Sequence, residues 1–333
     1  MTIEILEGNC LDTISKIKPN SINTCVTSPP YWGLRDYNTG TWIGGDPNCP
    51  HMRKTKIGKN CITGHKNMFD QNNVVGDAFF KSECSICGAI RKDDQFGLEE
   101  TPEEFVENLV QVFREVKRVL RDDGTVWLNL GDSYSSGGRT TTTNQTLRGD
   151  KDYGVTRPKP SEGIKPKDLI GIPWRVAFAL QADGWYLRQD IIWHKPNPMP
   201  ESVKDRCTKS HEYIFLLSKN EKYYFNNEVI KTQSSSYFSE DGKANKRSVW
   251  TVNTYSYKEA HFATFPKDLI EPCVLAGCPM GGTVLDPFGG SGTTAVVAEE
   301  NNRNSVICEL NPDYIKIAKK RISQLQPKLP FGD

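Results

Sequence analysis

The chain has 333 residues, 37% of them hydrophobic and 25% charged, which is ordinary for a globular protein with a substantial core. It contains no run of about 18 apolar residues, and residues 1–14 lack the basic and apolar regions of a signal peptide. We therefore expect a cytoplasmic protein that neither enters nor crosses a membrane. The net charge of +1 excludes a general excess of basic residues, so any contact with nucleic acid must come from local basic patches. Ten unevenly scattered cysteines indicate a reducing compartment, where clustered cysteines bind metal more often than they pair.

The first third of the chain begins as strand, helix and strand. We predict a strand at Ile3–Leu6, a helix at Leu11–Ile17 and a buried strand at Ile22–Thr27. The segment 32–97 then lacks periodicity and is rich in Gly, Asn, Lys and Cys. It is too long for a plain connection, so we interpret it as an insertion with its own stabilising device.

A helix opens at Thr101, which caps it, with Pro102 in the first turn and Glu104 completing a capping box. A strand follows at Thr125–Leu130, and residues 133–167 are expected to form a polar loop. The remaining predictions are helices at Pro173–Ala182, Pro266–Ala276, Thr293–Glu300 and Pro312–Leu325, strands at Trp185–Trp193, His211–Ser218, Lys222–Phe225, Thr283–Pro287 and Ser305–Leu310, and a weakly structured segment at Ser234–Asn253. Strands that alternate with helices at both ends of the chain predict one α/β domain with a mainly parallel sheet.

A glycine-rich turn, Leu285–Thr294 (LDPFGGSGTT), follows a predicted strand near the C-terminus. Glycines let the backbone approach a ligand closely, and the start of the next helix offers free N–H groups. Asp286 suits an ammonium group of a methionine moiety, and Glu309, at the end of the next strand, suits two ribose hydroxyls. A phosphate loop would carry a lysine where the chain has Gly292. The turn therefore predicts a nucleoside cofactor without phosphates, against the alternative of a tight turn that binds nothing.

A rigid turn, Ser28-Pro29-Pro30-Tyr31, follows the buried strand that ends at Thr27. The two prolines fix the backbone, so the preceding carbonyls point in defined directions. A serine hydroxyl and a fixed carbonyl can orient an amino group so that its nitrogen lone pair faces an electrophilic methyl group. Tyr31 offers a face for a base taken out of a duplex. Alone, the turn is equally compatible with an ordinary loop.

Taken together, these motifs resemble those of the DNA amino-methyltransferase family, which modifies N4 of cytosine or N6 of adenine. Thr27–Tyr31 resembles the family's (D/N/S)-P-P-(Y/F/W) catalytic motif, and Phe288–Gly292 resembles its F-x-G-x-G cofactor motif, in the permuted order with the catalytic motif first. His261–Pro266 resembles the segment that helps hold the methionine end of the cofactor. Asn9–Asp12 resembles the motif near the cofactor adenine, with Asn9 where Asp is usual.

The resemblance implies a Rossmann-like fold that uses S-adenosylmethionine, and direct methyl transfer without a covalent enzyme–base intermediate. In agreement, no cysteine sits in a catalytic-looking Pro-Cys motif, as C5-cytosine chemistry would demand. Cys273 follows Pro272 but lies inside a predicted helix, Cys278 lies just beyond its end, and both are expected in the core. The implied catalytic residues are Ser28, Pro29, Pro30 and Tyr31. The implied cofactor-binding residues are Asp12, Thr264, Asp286, Phe288, Gly290, Gly292, Thr293 and Glu309.

Ser28 determines the expected base, because a serine there resembles the N4-cytosine members, whereas N6-adenine members usually carry Asp or Asn. The difference is one hydrogen-bond acceptor. We therefore predict a site-specific DNA methyltransferase that acts on N4 of cytosine in duplex DNA after base flipping, with N6 of adenine as the alternative. An RNA or protein methyltransferase with the same core, and a catalytically silent zinc-dependent DNA-binding module, are further alternatives.

The aperiodic insertion contains a candidate zinc site. Cys84-Ser85-Ile86-Cys87 has the spacing of a zinc knuckle, and Cys49 and His51 would complete a Cys3His set. Cys61 and His65 are competing ligands, and a group of unpaired thiols is the alternative. Four protein ligands would leave no open position, so the expected role is structural.

The predicted organisation is a catalytic domain of residues 1–31, 98–200 and 261–327, the insertion 32–97 and a target-recognition region 201–260. The segment Asn197–Pro200 resembles a family segment that lines the base pocket. Basic side chains around it suit phosphate contacts, and a second basic group in the polar loop is expected to close over duplex DNA. The first group is Arg188, His194, Lys195, Lys204, Arg206 and Lys209, and the second is Arg139, Arg148, Lys151 and Arg157. A restriction endonuclease is a candidate partner, and no pattern predicts an oligomeric state.

Overall fold

An eight-stranded sheet forms the centre of the computed structural model. The structure describes residues 1–33, 37, 39–49, 51, 83–84, 86–135, 163–233, 242–254 and 265–325. The second predicted basic group, Thr264 and the competing zinc ligands Cys61 and His65 lie outside these residues. The helices are α1 (Cys10–Ile14), α2 (Pro102–Val119), α3 (Ile172–Ala182), α4 (Lys267–Gly277), α5 (Thr293–Glu300) and α6 (Pro312–Ser323), with a 3-10 turn at Glu228–Ile230. The strands are β1 (Ile3–Glu7), β2 (Ile22–Thr27), β3 (Thr41–Ile43), β4 (Ile90–Lys92), β5 (Leu120–Leu130), β6 (Tyr186–His194), β7 (His211–Ser218), β8 (Thr232–Gln233), β9 (Lys243–Ala244), β10 (Val249–Thr251), β11 (Thr283–Asp286) and β12 (Asn304–Glu309).

The strand order of the central sheet is β1-β12-β11-β2-β5-β7-β6-β10. Neighbouring strands are parallel from β1 to β5 and again between β6 and β10, whereas β7 is antiparallel to both of its neighbours. Both ends of the chain contribute, since β1 pairs with β12. The predicted α/β class and mainly parallel sheet are confirmed. No helix in the described part of the chain is long and apolar enough to span a membrane.

The helix α2 shows how local signals and burial agree. Its capping residue Thr101 accepts a hydrogen bond from Glu104 N (3.1 Å), as predicted, while the Glu104 carboxylate reaches Glu100 N (3.2 Å). The apolar side chains of the helix, at i, i+4 and i+8, lie on one face and are fully buried, as Phe105, Leu109 and Phe113 show. Each such side chain contributes about 1.5–3 kcal/mol when buried, which holds α2 against the sheet.

Two sequence predictions are wrong. Lys222–Phe225 is not a strand, because both edges of β7 are already paired, with β5 and with β6. Tyr224 N instead donates to Asp123 O (2.9 Å). The segment Ser234–Asn253, expected to be weakly structured, contains β10 at the edge of the central sheet. Residues 201–260 thus supply two strands, β7 and β10, to the same sheet as the catalytic motifs.

This topology brings the two predicted motifs together. The strands β2 and β11 are adjacent and parallel, so their carboxyl ends lie at one edge of the sheet. Ser28 follows the first, and the glycine-rich turn follows the second. Ligands of open α/β sheets bind beyond these strand ends, so this edge is the candidate site.

Candidate active site and metal centre

Asp286, at the end of β11, connects the two motifs. Its Oδ1 accepts hydrogen bonds from Thr27 Oγ1 (2.6 Å) and Phe288 N (3.0 Å), and its Oδ2 accepts one from Thr294 Oγ1 (2.6 Å). Burial raises the pKa of this carboxyl, and the two threonine hydroxyls oppose the rise. The carboxylate thus ties the residue before Ser28 to the first turn of α5. Its predicted contact with a cofactor ammonium stays a prediction, since the described contacts of both oxygens are with the protein.

The glycine-rich turn has a backbone that side chains would disturb. Gly290 and Gly292 have φ angles of 51° and 79°, in the left-handed region that favours glycine. A Cβ on Gly292 would also lie 2.9 Å from the Cβ of Ala318, and one on Gly289 would lie 2.9 Å from the Cβ of Ile307. The helix α5 begins directly after the turn and has no side-chain cap. No capping side chain therefore satisfies its first N–H groups, which a ligand-binding helix start leaves available.

Glu309 ends β12 beside this turn. Its Oε2 accepts from Gly290 N (2.7 Å), and its Oε1 accepts from Asn311 N (2.7 Å). Burial raises the pKa of this carboxyl, while both backbone N–H groups lower it. Both oxygens thus accept from backbone N–H groups beside the glycine turn, and the predicted contact of Glu309 with two ribose hydroxyls stays a prediction.

The insertion contributes a second wall to the site, which the sequence did not reveal. The ring of Phe96 packs edge-to-face on the ring of Phe288, with centroids 5.4 Å apart. Asp94 O lies 3.5 Å from the amide nitrogen of Asn9, the residue at the predicted adenine motif. A cleft of roughly 350 Å³ opens between Asn9, the segment 93–99 and the start of α2. The only sequence signal for this wall is an isolated aromatic residue in a polar segment.

The same wall reaches Glu309 through a chain of hydrogen bonds. Gln95 Oε1 accepts from Tyr37 N (2.7 Å), and Tyr37 O accepts from the Asn311 amide (3.1 Å). Asn311 N in turn donates to Glu309. The insertion is thereby connected to the carboxylate proposed to hold the ribose.

The other predicted cofactor residues have different surroundings. Asp12 is solvent-exposed in the first turn of α1. The hydroxyl of Thr293 is buried and accepts from Arg321 Nη1 (3.0 Å), on α6. Among the described cysteines, Cys273 and Cys278 are buried in the core as predicted, and burial raises the pKa of Cys278 to about 12.

The predicted catalytic turn, Ser28–Tyr31, lies at the carboxyl end of β2, with Pro29 buried and Ser28 half-buried. Tyr31 OH donates to Glu212 Oε2 (2.7 Å), on β7, and lies 3.3 Å from Asn129 Oδ1, on β5. A Cβ at Gly131 would collide with the Tyr31 ring, so the backbone passes directly beside it. Sequence reasoning missed these three neighbours because their proximity depends on the order of the strands.

The predicted phosphate-binding group is partly paired within the protein. Lys195 forms an ion pair with Glu212, and both side chains are mostly buried. Arg206 pairs with Glu201 (2.6 Å) and lies 3.8 Å from the centroid of the Tyr134 ring. These contacts order the surface beside the catalytic turn.

Cys49, His51, Cys84 and Cys87 come together, with their potential ligand atoms all within 4.8 Å of one another. Cys49 Sγ lies 3.8 Å from Cys84 Sγ, and Cys87 Sγ lies 3.6 Å from His51 Nδ1. Tetrahedral zinc, with bonds of about 2.3 Å to sulfur and about 2.0–2.1 Å to nitrogen, separates such ligands by about 3.8 Å and about 3.6 Å. The predicted Cys3His set therefore fits a tetrahedral metal site.

A short two-stranded antiparallel sheet, β3 paired with β4, supports this cluster. Trp42 stacks on the His51 ring, with centroids 4.5 Å apart. Gly45 has a φ of 72°, and a Cβ there would lie 2.8 Å from Cys87 Sγ. The backbone N–H of Cys87 and the side chain of His51 lower the pKa of Cys84 to about 6, which favours the thiolate that binds metal.

Comparisons with known proteins agree with this architecture. A family model described as DNA methylase, of the N6/N4 type, matches residues 22–320. Type II methyltransferase M.Cfr9I of Citrobacter freundii is 44% identical over 96% of this chain and 87% of its own length. Type II methyltransferase M.SmaI of Serratia marcescens is 45% identical over 96% of this chain and 90% of its own length.

Solved structures show the same fold. The PvuII DNA methyltransferase (cytosine-N4-specific) matches with a TM-score of 0.60 at 17% identity, over 98% of this chain and 87% of that one. A DNA modification methylase of Thermus thermophilus, complexed with S-adenosyl-L-methionine, matches with a TM-score of 0.55 at 20% identity, over 97% and 95% of the two chains. The predicted methyltransferase fold and family are confirmed: the chain belongs to the N6/N4 family of DNA methylases.

Proposed function

We propose that this DNA methyltransferase transfers a methyl group from S-adenosylmethionine to N4 of cytosine in duplex DNA, after the base has been flipped out. The observation that carries the proposal is the hydrogen bond from Thr27 to Asp286, which joins the amino-acceptor turn to the methyl-donor turn. The cytosine-N4 specificity of the PvuII enzyme, and Ser28 in the first position of the turn, favour cytosine over adenine.

S-adenosylmethionine supplies an electrophilic methyl group on a sulfonium. In our proposal the Ser28 hydroxyl and the Pro29 carbonyl accept hydrogen bonds from the amino group, so that its nitrogen lone pair faces this methyl. Tyr31 stacks the flipped base, and Pro30 keeps the turn rigid. The nitrogen would form its bond to the methyl carbon as the carbon–sulfur bond breaks and S-adenosylhomocysteine is released, and it would lose its proton to solvent afterwards, so no strong base is needed. Asp286, Phe288, Gly290, Gly292 and Glu309 hold the cofactor, with Thr293, Asp12 and Thr264 as further candidates.

The decisive experiment identifies the product. The protein is incubated with duplex DNA and methyl-labelled S-adenosylmethionine, and the DNA is digested to nucleosides. We expect N4-methylcytosine. N6-methyladenine as the sole product would overturn the choice of base, and unlabelled DNA would overturn the proposed function.

The role of the Ser28 hydroxyl is tested by Ser28→Ala, with the exposed Ser15→Ala as the matched control. Loss of an acceptor that orients the reacting amino group should lower the single-turnover rate about 100-fold, with little change in the Kd for cofactor. An unchanged rate would show that the hydroxyl does not orient the amino group.

We also propose that zinc occupies the Cys3His cluster in a structural role, since four protein ligands complete a tetrahedral shell. Metal analysis of protein purified without chelator should give about one zinc per chain. A zinc content near zero would contradict this proposal.

We propose that residues 32–97 form the metal-stabilised insertion and that residues 201–260 carry target recognition in addition to supplying β7 and β10 to the central sheet. Because M.Cfr9I and M.SmaI are type II methyltransferases, a cognate restriction endonuclease is the proposed biological partner. Digestion of genomic DNA from cells with and without the protein, by endonucleases of known sites, would show which site it protects.

A further inference from the structure

Glu212, on β7, forms a network with the catalytic turn that the proposed chemistry does not use. Its Oε2 accepts from Tyr31 OH (2.7 Å) and from the Asn129 amide (3.3 Å), and its Oε1 accepts from Lys195 Nζ. We infer that Glu212 is a positioning residue for the target base: it acts through Tyr31, whose ring it fixes before DNA arrives. This inference rests on the proposed function, in which Tyr31 stacks the flipped base.

The position of Glu212 explains why a carboxylate is needed there. Three donors converge on it, and its side chain is only 14% exposed. The shorter of the two described contacts of the Tyr31 hydroxyl with an acceptor is the one with this carboxylate, at 2.7 Å against 3.3 Å for Asn129 Oδ1, so Glu212 is its main acceptor. Lys195, with a side chain 17% exposed, balances the charge. A single acceptor oxygen, as in glutamine, could not serve Tyr31 and Lys195 on opposite sides.

The ring of Tyr31 is also confined on another side. The backbone at Gly131 leaves no room for a Cβ beside the ring, so the ring cannot swing in that direction. Burial, followed by the charge of Glu212, raises the pKa of Tyr31 well above its ordinary value, so its hydroxyl remains a donor. With the hydroxyl tethered and the ring edge against the backbone, one ring orientation is selected. A stacking platform of fixed orientation needs no reorganisation when the base enters.

The test is a double-mutant cycle of Glu212→Gln, Tyr31→Phe and the two together, with the exposed Glu107→Gln as the matched control. The single-turnover methylation rate of saturated enzyme is measured for each. We expect Glu212→Gln to lower it on the order of 10- to 100-fold, with the Kd for cofactor unchanged. In the Tyr31→Phe background, the same substitution should change the rate less than about twofold, because Glu212 then has no hydroxyl to hold. Additive effects would overturn the inference.

A second measurement does not depend on activity. In protein carrying 13C-labelled tyrosine, the Tyr31 resonance, assigned with Tyr31→Phe, is followed from pH 8 upward in the wild type and in Glu212→Gln. Removal of the neighbouring charge should lower the pH at which Tyr31 titrates. Identical titrations would overturn the inference even if the wild type methylates DNA. If Tyr31 titrates at a lower pH in Glu212→Gln than in the wild type, but the wild type methylates no DNA, the proposed function is refuted instead.

Discussion

The proposed cofactor site has two walls of different construction. The first, residues 286–294, follows a strand in the middle of a parallel sheet and is tied down by the buried Asp286. The second, Asp93–Phe96, follows the three-residue strand β4 of a two-stranded antiparallel sheet. A wall inside a large sheet is stabilised by its neighbours, whereas two paired strands are only marginally stable alone. The Cys3His cluster lies where that support is missing.

The two-stranded sheet of β3 and β4 is connected to the second wall through Asp93. Arg91, on β4, forms an ion pair with it (2.6 Å), and both side chains are at most 10% exposed. Thr39, two residues before β3, donates to the same carboxylate (2.7 Å). Asp93 is followed by Gln95, which begins the hydrogen-bonded path to Glu309, and by Phe96, which packs on Phe288. Loss of the metal should therefore weaken the binding of the cofactor.

Replacement of Asp286 should destabilise the first wall more than any other change proposed here. Asp286→Ala leaves two buried hydroxyls and one N–H without their acceptor, so we expect a loss of about 3 kcal/mol in the free energy of unfolding. Denaturant titration measures this loss, with the exposed Asp268→Ala as control. Equal stability of the two variants would show that the carboxylate does not hold this wall.

Glu309, between the two walls, should affect affinity more than folding. Glu309→Gln removes the charged acceptor proposed for the ribose hydroxyls, so the Kd for S-adenosylmethionine should rise about 10- to 100-fold, as calorimetry would measure. The exposed Glu4→Gln is the control. An unchanged Kd would remove Glu309 from the cofactor site.

The same variant gives a pH test. Because burial raises the pKa of Glu309 in the folded state, the folded protein takes up this proton at a higher pH than the unfolded chain. The wild type should therefore gain stability relative to Glu309→Gln as the pH falls from 7 towards about 4.3, and lose it again as the pH rises. A difference in unfolding free energy that does not vary with pH would contradict the raised pKa.

The second wall should respond to the metal. Cys84→Ser, or removal of the metal by a chelator, should raise the Kd for S-adenosylmethionine about tenfold, because the segment that carries Gln95 and Phe96 loses its anchor. The exposed Cys207→Ser is the matched control. Gln95→Ala, which keeps the metal, should raise the Kd only a few-fold, as expected for one hydrogen bond. If the metal-free protein binds cofactor as tightly as the metal-loaded protein, the two walls are independent.

The two walls also differ in how far the sequence predicts them. The elements of the first wall were predicted almost to the residue, because a strand end, a glycine turn and an apolar helix each carry a local signal. The sequence also predicts the Cys3His cluster, from the spacing of its residues, and the structure brings the four side chains together. The contacts of Phe96 and Glu212 were not, since they depend on which strands become neighbours. The strand β10 was missed because three residues are too few to show a period.

The hydrogen bond between Thr27 and Asp286 spans 259 positions of the chain. Its formation and the pairing of β1 with β12 therefore require chain segments that leave the ribosome at very different times. Folding of this centre belongs to the slow, high-contact-order class. A nascent chain that has exposed residues 28–31 still lacks residues 286–294. The contact between the two turns can consequently form only late in synthesis, after β11 has left the ribosome.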